Sequence, residues 1–248
     1  MKISRLKYEL ETLLLFIIIG FLFFHVGVMP RKLFDDTTST VLLDDRGNLL
    51  GARIAGDDQW RFPESDTLNQ RFVTCLVNYE DRRFYYHIGV DPIAVVRAFK
   101  RNVQSSCVKE GGSTLTMQLA RMIRGNQPRT LKNKLIEVLY ALDIELSYSK
   151  EQILRMYVSH APFGGNVVGV NAAAWRYYNR DISCLSWSEV ATLAVLPNSP
   201  SLIHPGRNRT ILKKKRDQLL AILQARKIIT ADEYELAIDE PLPDKPYP

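Results

Sequence analysis

Cysteine is scarce in this 248-residue chain. The three residues, Cys75, Cys107 and Cys184, are far apart, form no CxxC pair and are odd in number. Neither a clustered zinc site nor a complete disulfide framework can be built from them, and they read as buried thiols. Internal repeats and low-complexity tracts are missing, which excludes solenoid and fibrous architectures. Polar residues are too few for disorder: 46% of the chain is hydrophobic and 24% charged, enough apolar material for one folded domain. No Gly-Lys-Ser/Thr follows the glycine pair Gly111-Gly112, so there is no P-loop. Acidic residues are the minority charge, 27 against 33 Lys and Arg. The net charge of +6 suits an anionic partner: nucleic acid, phosphorylated metabolite or lipid head group.

What is present begins with a long apolar run. Residues 13–29 read LLLFIIIGFLFFHVGVM without a formal charge, after Lys2, Arg5 and Lys7 and before Arg31 and Lys32. That length approaches one bilayer span and exceeds the roughly 7 to 15 residues of a secretory apolar region, and no small-x-small cleavage site follows. The run therefore predicts an uncleaved, single transmembrane helix with a cytoplasmic tail at 1–12, the remainder being translocated. An anchored, translocated basic face makes a nucleic-acid partner a poor fit. Residues 40–43 and 49–54 flank Asp44-Asp45-Arg46-Gly47-Asn48, the pattern of a small N-terminal β-hairpin within a membrane-proximal segment at 30–61. From Leu68 the apolar spacing turns helical, as in Phe72, Leu76 and Tyr79 and later Leu131, Leu135, Val138 and Leu142. Ser149 with Gln152, Ser186 with Glu189, and Thr230 with Glu233 each fit a capping box. The expected fold class is mainly α, with a helical domain at 62–238 and a proline-rich linker end at 239–248.

Four segments carry chemistry-bearing side chains. Glu80 opens EDRRFYYHIG beside Tyr79; a carboxylate against aromatic walls loses hydration and gains proton affinity, as a general base for a hydroxyl requires. A solvated, salt-bridged helix end is the competing reading. In GGSTLTMQLAR, glycines and a helix start offer backbone N–H groups to an anion, or Ser113 or Thr114 simply caps the helix. Lys134 and Glu137 are three apart on one helix face, either a surface ion pair or an acid and cation that steer a leaving phosphate. Arg121, Arg124, Arg129, Lys132 and Lys134 gather positive charge around them. The Lys213-Lys214-Lys215-Arg216 run reads as a solvated helix face. APFGGN at 161–166, then Gly169 and Ala172-Ala173-Ala174, reads as tight packing. His160 and His204 lack companions at metal spacing, and no metal ligands are assigned.

In this order the segments resemble the peptidoglycan glycosyltransferase domain of family 51, found in class A penicillin-binding proteins and monofunctional transglycosylases. The likeness covers residues 62–207: EDRRFYYHIG is similar to the family's first motif, GGSTLTMQLAR to its second, residues 129–137 to its third, and LSWSEVATLAVLPNSPS to its last. APFGG and LAVLPNSPS are most similar to the 1C-type members. The resemblance implies a lysozyme-like fold and polymerisation of lipid II into β-1,4-linked glycan strands by inverting displacement of undecaprenyl pyrophosphate. By it, Glu80 is the catalytic base and Glu137 the second acid, while Asp81, Ser113, Gln118, Arg121, Arg129 and Lys134 fall on substrate-binding positions.

A divalent cation, Mg or Mn, at the pyrophosphate is the one implied cofactor, with no organic cofactor. Lipid II, the growing glycan strand, the membrane and other cell-wall synthesis proteins are the implied partners, at the inner membrane with the catalytic domain outside the cytoplasm. The family's amphipathic lobe falls at 91–109, where Ile93, Val95, Val96, Phe99 and Val103 would meet lipid.

Glu110, Met117, Asn133, Ile136 and Ser159 depart from the family pattern, removing two cations near the leaving group. Lys-Thr-Gly, the transpeptidase tripeptide, is absent. The proline-rich end favours part of a longer bifunctional protein over a monofunctional enzyme. The rivals are a silent membrane-tethered scaffold and a lysozyme-like glycan-cleaving enzyme.

Overall fold

The computed structural model describes residues 32–47, 49–64, 67–105, 112–244 and 246–247, together with Thr12 and Gly20. The expected anchor at 13–29, Gly20 apart, lies outside them, as do Cys107, Glu110 and Gly111. Among the described residues no helix is long and apolar enough to cross a membrane.

The hairpin forms where its turn residues place it. β1 (Thr40–Leu43) pairs antiparallel with β2 (Leu49–Arg53), Thr40 opposite Arg53, with an irregularity between Leu42 and Leu43. The Asp44 carboxylate accepts the Arg46 N–H at 2.9 Å inside the turn. A second pairing has no signature in the sequence: β3 (Trp60–Arg61) runs parallel to β4 (Val167–Val168). The Trp60 N–H donates to the Asn166 carbonyl at 2.7 Å, and Arg176 lies over the Trp60 ring. The segment expected as a linker is thereby stitched to the helical domain.

Nine helices follow among the described residues: α1 (Gln70–Glu80), α2 (Pro92–Ser105), α3 (Leu115–Ile123), α4 (Leu131–Ser147), α5 (Lys150–His160), α6 (Val170–Tyr178), α7 (Trp187–Val195), α8 (Arg209–Ala225) and α9 (Ala231–Asp239). All three expected capping boxes are made, at the starts of α5, α7 and α9. α7 is buried on nearly every side, as its almost uncharged sequence requires, and packs against α1 and α8. α3 packs against both α4 and α5. Gly169, at φ +84°, sits so close to the Ser159 carbonyl that a Cβ would lie 2.7 Å from it, and Ala172, Ala173 and Ala174 are fully buried beyond it. The small-residue segment does pack tightly.

α4 forms as its spacing predicts; Leu131 is 87% and Leu135 69% exposed and Val138 and Leu142 are half-buried, while Glu137, Tyr140, Ala141, Asp143 and Ile144 are buried. Two expectations are corrected. The Lys213–Arg216 run is not one solvated face, because four consecutive helical residues sweep about 300°. Lys213 and Lys214 are exposed and Lys215 is half-buried. Arg216 is fully buried, donating to the Ser188 hydroxyl and to the Glu240 and Ile238 carbonyls. Of the cysteines, Cys75 is buried, but Cys184 is exposed at the end of a 3₁₀ turn whose Ile182 takes the inward position.

Candidate active site

Glu80 ends α1, and the chain leaves the helix at Asp81. Glu80 is half-buried, yet its Oε1 is shut off from solvent and accepts no hydrogen bond among the described residues. Its Oε2 accepts from the Gln118 side-chain amide at 2.9 Å. Burial raises the proton affinity of Glu80 above the ordinary 4.5, the hydrogen bond from Gln118, the Asn198 amide and the Lys215 ammonium pull it part of the way back, and Asp81 adds a small upward push. The solvated helix end is therefore not what forms here.

Asp81, expected at the substrate, is turned inward. Both of its oxygens lie 3.0 Å from His87 Nε2, and Oδ2 also accepts the Leu115 N–H at 3.0 Å. A carboxylate at the first residue of α3 sits where the helix dipole is most favourable. Asp81 thus sets the start of α3 relative to the end of α1.

Of the two readings of the glycine-hydroxyl segment, the helix cap is what forms. Thr114 caps α3, its hydroxyl accepting the Met117 N–H at 3.1 Å and donating to the Gly89 carbonyl. Ser113 accepts from Lys134 Nζ at 2.6 Å. Lys134 Nζ also lies 3.1 Å from Glu137, and Arg121 Nε approaches the other Glu137 oxygen at 4.0 Å. Glu137 is buried while Lys134 is partly open, so this is not an ordinary surface pair.

α3 therefore acts as a ruler. Gln118 and Arg121 stand three residues apart on one face, a rise of about 4.5 Å, and hold Glu80 and Glu137 respectively. A carboxylate with one oxygen unpartnered among the described residues thus stands about one helical turn along α3 from a seat of two cations and a hydroxyl. Such an arrangement can deprotonate a hydroxyl and receive a departing anion. Arg129 is exposed in the loop before α4.

Tyr157, Asn198 and Lys215 were missed by residue-level reading. Tyr157 on α5 donates to the Gln118 carbonyl oxygen at 3.0 Å, and Lys215 on α8 donates to Asn198 Oδ1 at 2.7 Å. Tyr157 looks like core in the sequence, and Lys215 looks like one of four solvated cations. The departures also find places: Met117 is a core residue at 2% exposure, Asn133 accepts from Arg124, and Ile136 packs against the core. His160 stacks on Phe34 and binds the Met156 carbonyl. Among the described residues no group of three His, Cys, Asp or Glu could hold a metal.

Residues 47–224 match the Transglycosylase family. Penicillin-binding protein 1C of Escherichia coli K12 is 35% identical over 214 residues, covering 86% of this chain and 28% of that protein. Penicillin-binding protein 1A of Aquifex aeolicus is 30% identical over 246 residues, covering 96% and 34% respectively. A crystal structure of penicillin-binding protein 1A from Haemophilus influenzae aligns with a TM-score of 0.46 at 18% identity, covering 84% of this chain and 21% of that one. The chain spans about a third or less of these proteins.

Proposed function

The chain belongs to the transglycosylase family, and on that premise we propose that it polymerises lipid II into β-1,4-linked glycan strands for the bacterial cell wall. Glu80 Oε1 takes the proton of the acceptor's GlcNAc 4-hydroxyl as that oxygen attacks the anomeric carbon of the donor's MurNAc. The bond to undecaprenyl pyrophosphate breaks on the opposite face, giving inversion. Burial serves the base by lifting its proton affinity toward the working pH. Lys134, Arg121 and the Ser113 hydroxyl, with Arg129 beyond them, receive the pyrophosphate charge. Glu137 holds the two cations in place. One observation carries this reading: the Glu80 carboxylate has one oxygen held by Gln118 and the other buried without a partner among the described residues, one helical turn from the cation seat.

Magnesium at a pyrophosphate is usually held by one or two carboxylates together with the phosphates. Here the candidate carboxylate, Glu137, already faces an ammonium on one oxygen and a guanidinium on the other. The residues present do not fit a Mg or Mn ion held by the protein, and Lys134 and Arg121 supply the positive charge.

The catalytic domain works beside the membrane, anchored by residues 13–29 on the outer side of the inner membrane in this reading. Ile93, Val95 and Val96 on α2 are exposed, as are Leu131, Leu135 and Leu146 on α4, and support contact with the lipid interface from which the substrate comes. The lysozyme-like arrangement and the part-of-a-longer-protein reading belong to the same proposal.

Labelled lipid II, supplied in detergent to the purified protein and to Glu80→Gln, tests the function. Polymer from the wild type and at least a hundredfold less from the variant is the expected result, since general-base catalysis contributes roughly 10² to 10⁴. No polymer from folded wild type that still binds lipid II points to the scaffold, and shortening of preformed glycan points to a cleaving enzyme.

A further inference from the structure

Two amide side chains from different elements act on the Glu80 carboxylate, Gln118 by a direct hydrogen bond and Asn198 from nearby, and each amide oxygen accepts from a further residue. An amide can present either a donor or an acceptor, and a carboxylate needs the donor. On one side, Gln118 of α3 turns its NH₂ to Glu80 Oε2, and its own oxygen accepts from the Tyr157 hydroxyl of α5. On the other, Asn198, in the turn after α7, is near enough to favour the ionised carboxylate, and its oxygen accepts from Lys215 Nζ of α8 at 2.7 Å and from the Ser199 hydroxyl at 3.4 Å. A lysine ammonium has donors only, so the contact is possible only with the Asn198 oxygen, which leaves the NH₂ to face the acid. Tyr157 is 1% exposed, and burial beside Glu80 keeps its hydroxyl protonated and able to donate.

We propose that Tyr157 and Lys215 are positioning residues for the base, each occupying an amide oxygen so that Gln118 and Asn198 present NH₂ groups to Glu80 and leave Oε1 for the acceptor hydroxyl. The assignment of Glu80 as base rests on the glycosyltransferase reading; the hydrogen-bond relay does not. Without the Tyr157 hydroxyl the Gln118 amide can rotate by half a turn and set its oxygen against the carboxylate, and without the Lys215 ammonium only the longer 3.4 Å bond from the Ser199 hydroxyl opposes the same rotation of Asn198. That orientation disfavours the ionised form and displaces the reactive oxygen. The other groups facing Glu80 are Tyr79 and Asp81 on its own segment; Asp81 is occupied by His87 and Leu115. Lys215 is the single cation among the causes that act on the acid.

The test uses the full chain in detergent with two readouts. The first is the ¹³C titration of the Glu80 carboxyl, identified by its loss in Glu80→Gln. The second is the pH dependence of polymerisation from lipid II. Lys215→Met and Tyr157→Phe are each expected to raise the Glu80 midpoint by about one pH unit, and to move the acidic limb of the rate profile with it. Lys215→Arg, which keeps charge and donor, returns the midpoint toward wild type, and Lys214→Met, on the exposed side, leaves it in place. An unmoved midpoint in folded Lys215→Met and Tyr157→Phe overturns the proposal, as does an equal shift in Lys215→Arg and Lys215→Met. If the wild type makes no polymer, the functional reading fails alone, because the carboxyl titration still decides the relay.

Discussion

Ionising Glu80 costs the folded protein free energy, because its carboxylate is moved out of water without an opposite charge in direct contact. Its proton affinity is raised in the fold and ordinary in the unfolded chain. The stability it contributes is therefore complete below the unfolded value of 4.5 and is lost as pH rises through the folded midpoint. Glu80→Gln removes that loss while keeping the hydrogen bond to the Gln118 position. The variant is expected to melt above wild type at pH 7, with the difference closing below about pH 4, as calorimetry at the two pH values can show. A residue whose replacement strengthens the fold and abolishes activity would owe its place to chemistry. Glu137 is the opposite case, since Lys134 and Arg121 face it directly and a buried acid so paired is at home in the fold.

At the level of the element, the site depends on where α3 begins. Asp81 joins the end of α1, the His87 segment and the first turn of α3, and Thr114 ties that turn to Gly89. Gly89 itself, at φ +83°, lies against α4 so closely that a Cβ would be 2.7 Å from the Ala141 carbonyl. Asp81→Ala leaves the His87 ring and the Leu115 N–H without their acceptor, at a cost of about 2 kcal/mol. A lower melting temperature and reduced polymerisation are expected together, because Gln118 and Arg121 ride on the displaced helix. Unchanged activity in a destabilised Asp81→Ala protein would show that α3 keeps its register without this anchor. Helix boundaries of this kind were largely legible: the three capping boxes mark their starts because cap and helix are local in sequence. The exposure of Leu131 and Leu135 on α4 was not, because a 3.6-residue period shows that a helix has an apolar face and leaves open what that face meets.

Across the whole molecule, distant segments meet on single side chains. Arg216 of α8 binds Ser188 of α7 and the carbonyls at the end of α9, closing the C-terminal helices onto the core. Arg216→Met removes a buried donor set and strands its acceptors, with an expected loss of about 3 kcal/mol. Limited proteolysis between α8 and α9 is expected to quicken by a larger factor than at the hairpin. Neither Arg216 nor Lys215 could be singled out from a run of four cations, since the partners that give each a role are 17 to 28 positions away. The parallel pairing of Trp60–Arg61 with Val167–Val168 is equally silent in the sequence, its two-residue strands being joined only by the fold.

The sequence by itself determined the candidate residues of the proposed chemistry: the two acids, the hydroxyl and amide of the second motif, and the cations around them, because each motif is a short run whose spacing is local. It also determined the helical class, the hairpin and the helix caps. Only the tertiary structure decided which oxygen of Glu80 is occupied, that Asp81 joins His87 to the start of α3, that Lys134 and Arg121 share one acid, and that Tyr157 and Lys215 bind the oxygens of the amides near Glu80. Those are contacts between elements, set by how helices rotate and pack against one another, and a side chain's direction around its helix axis is fixed by its neighbours in space.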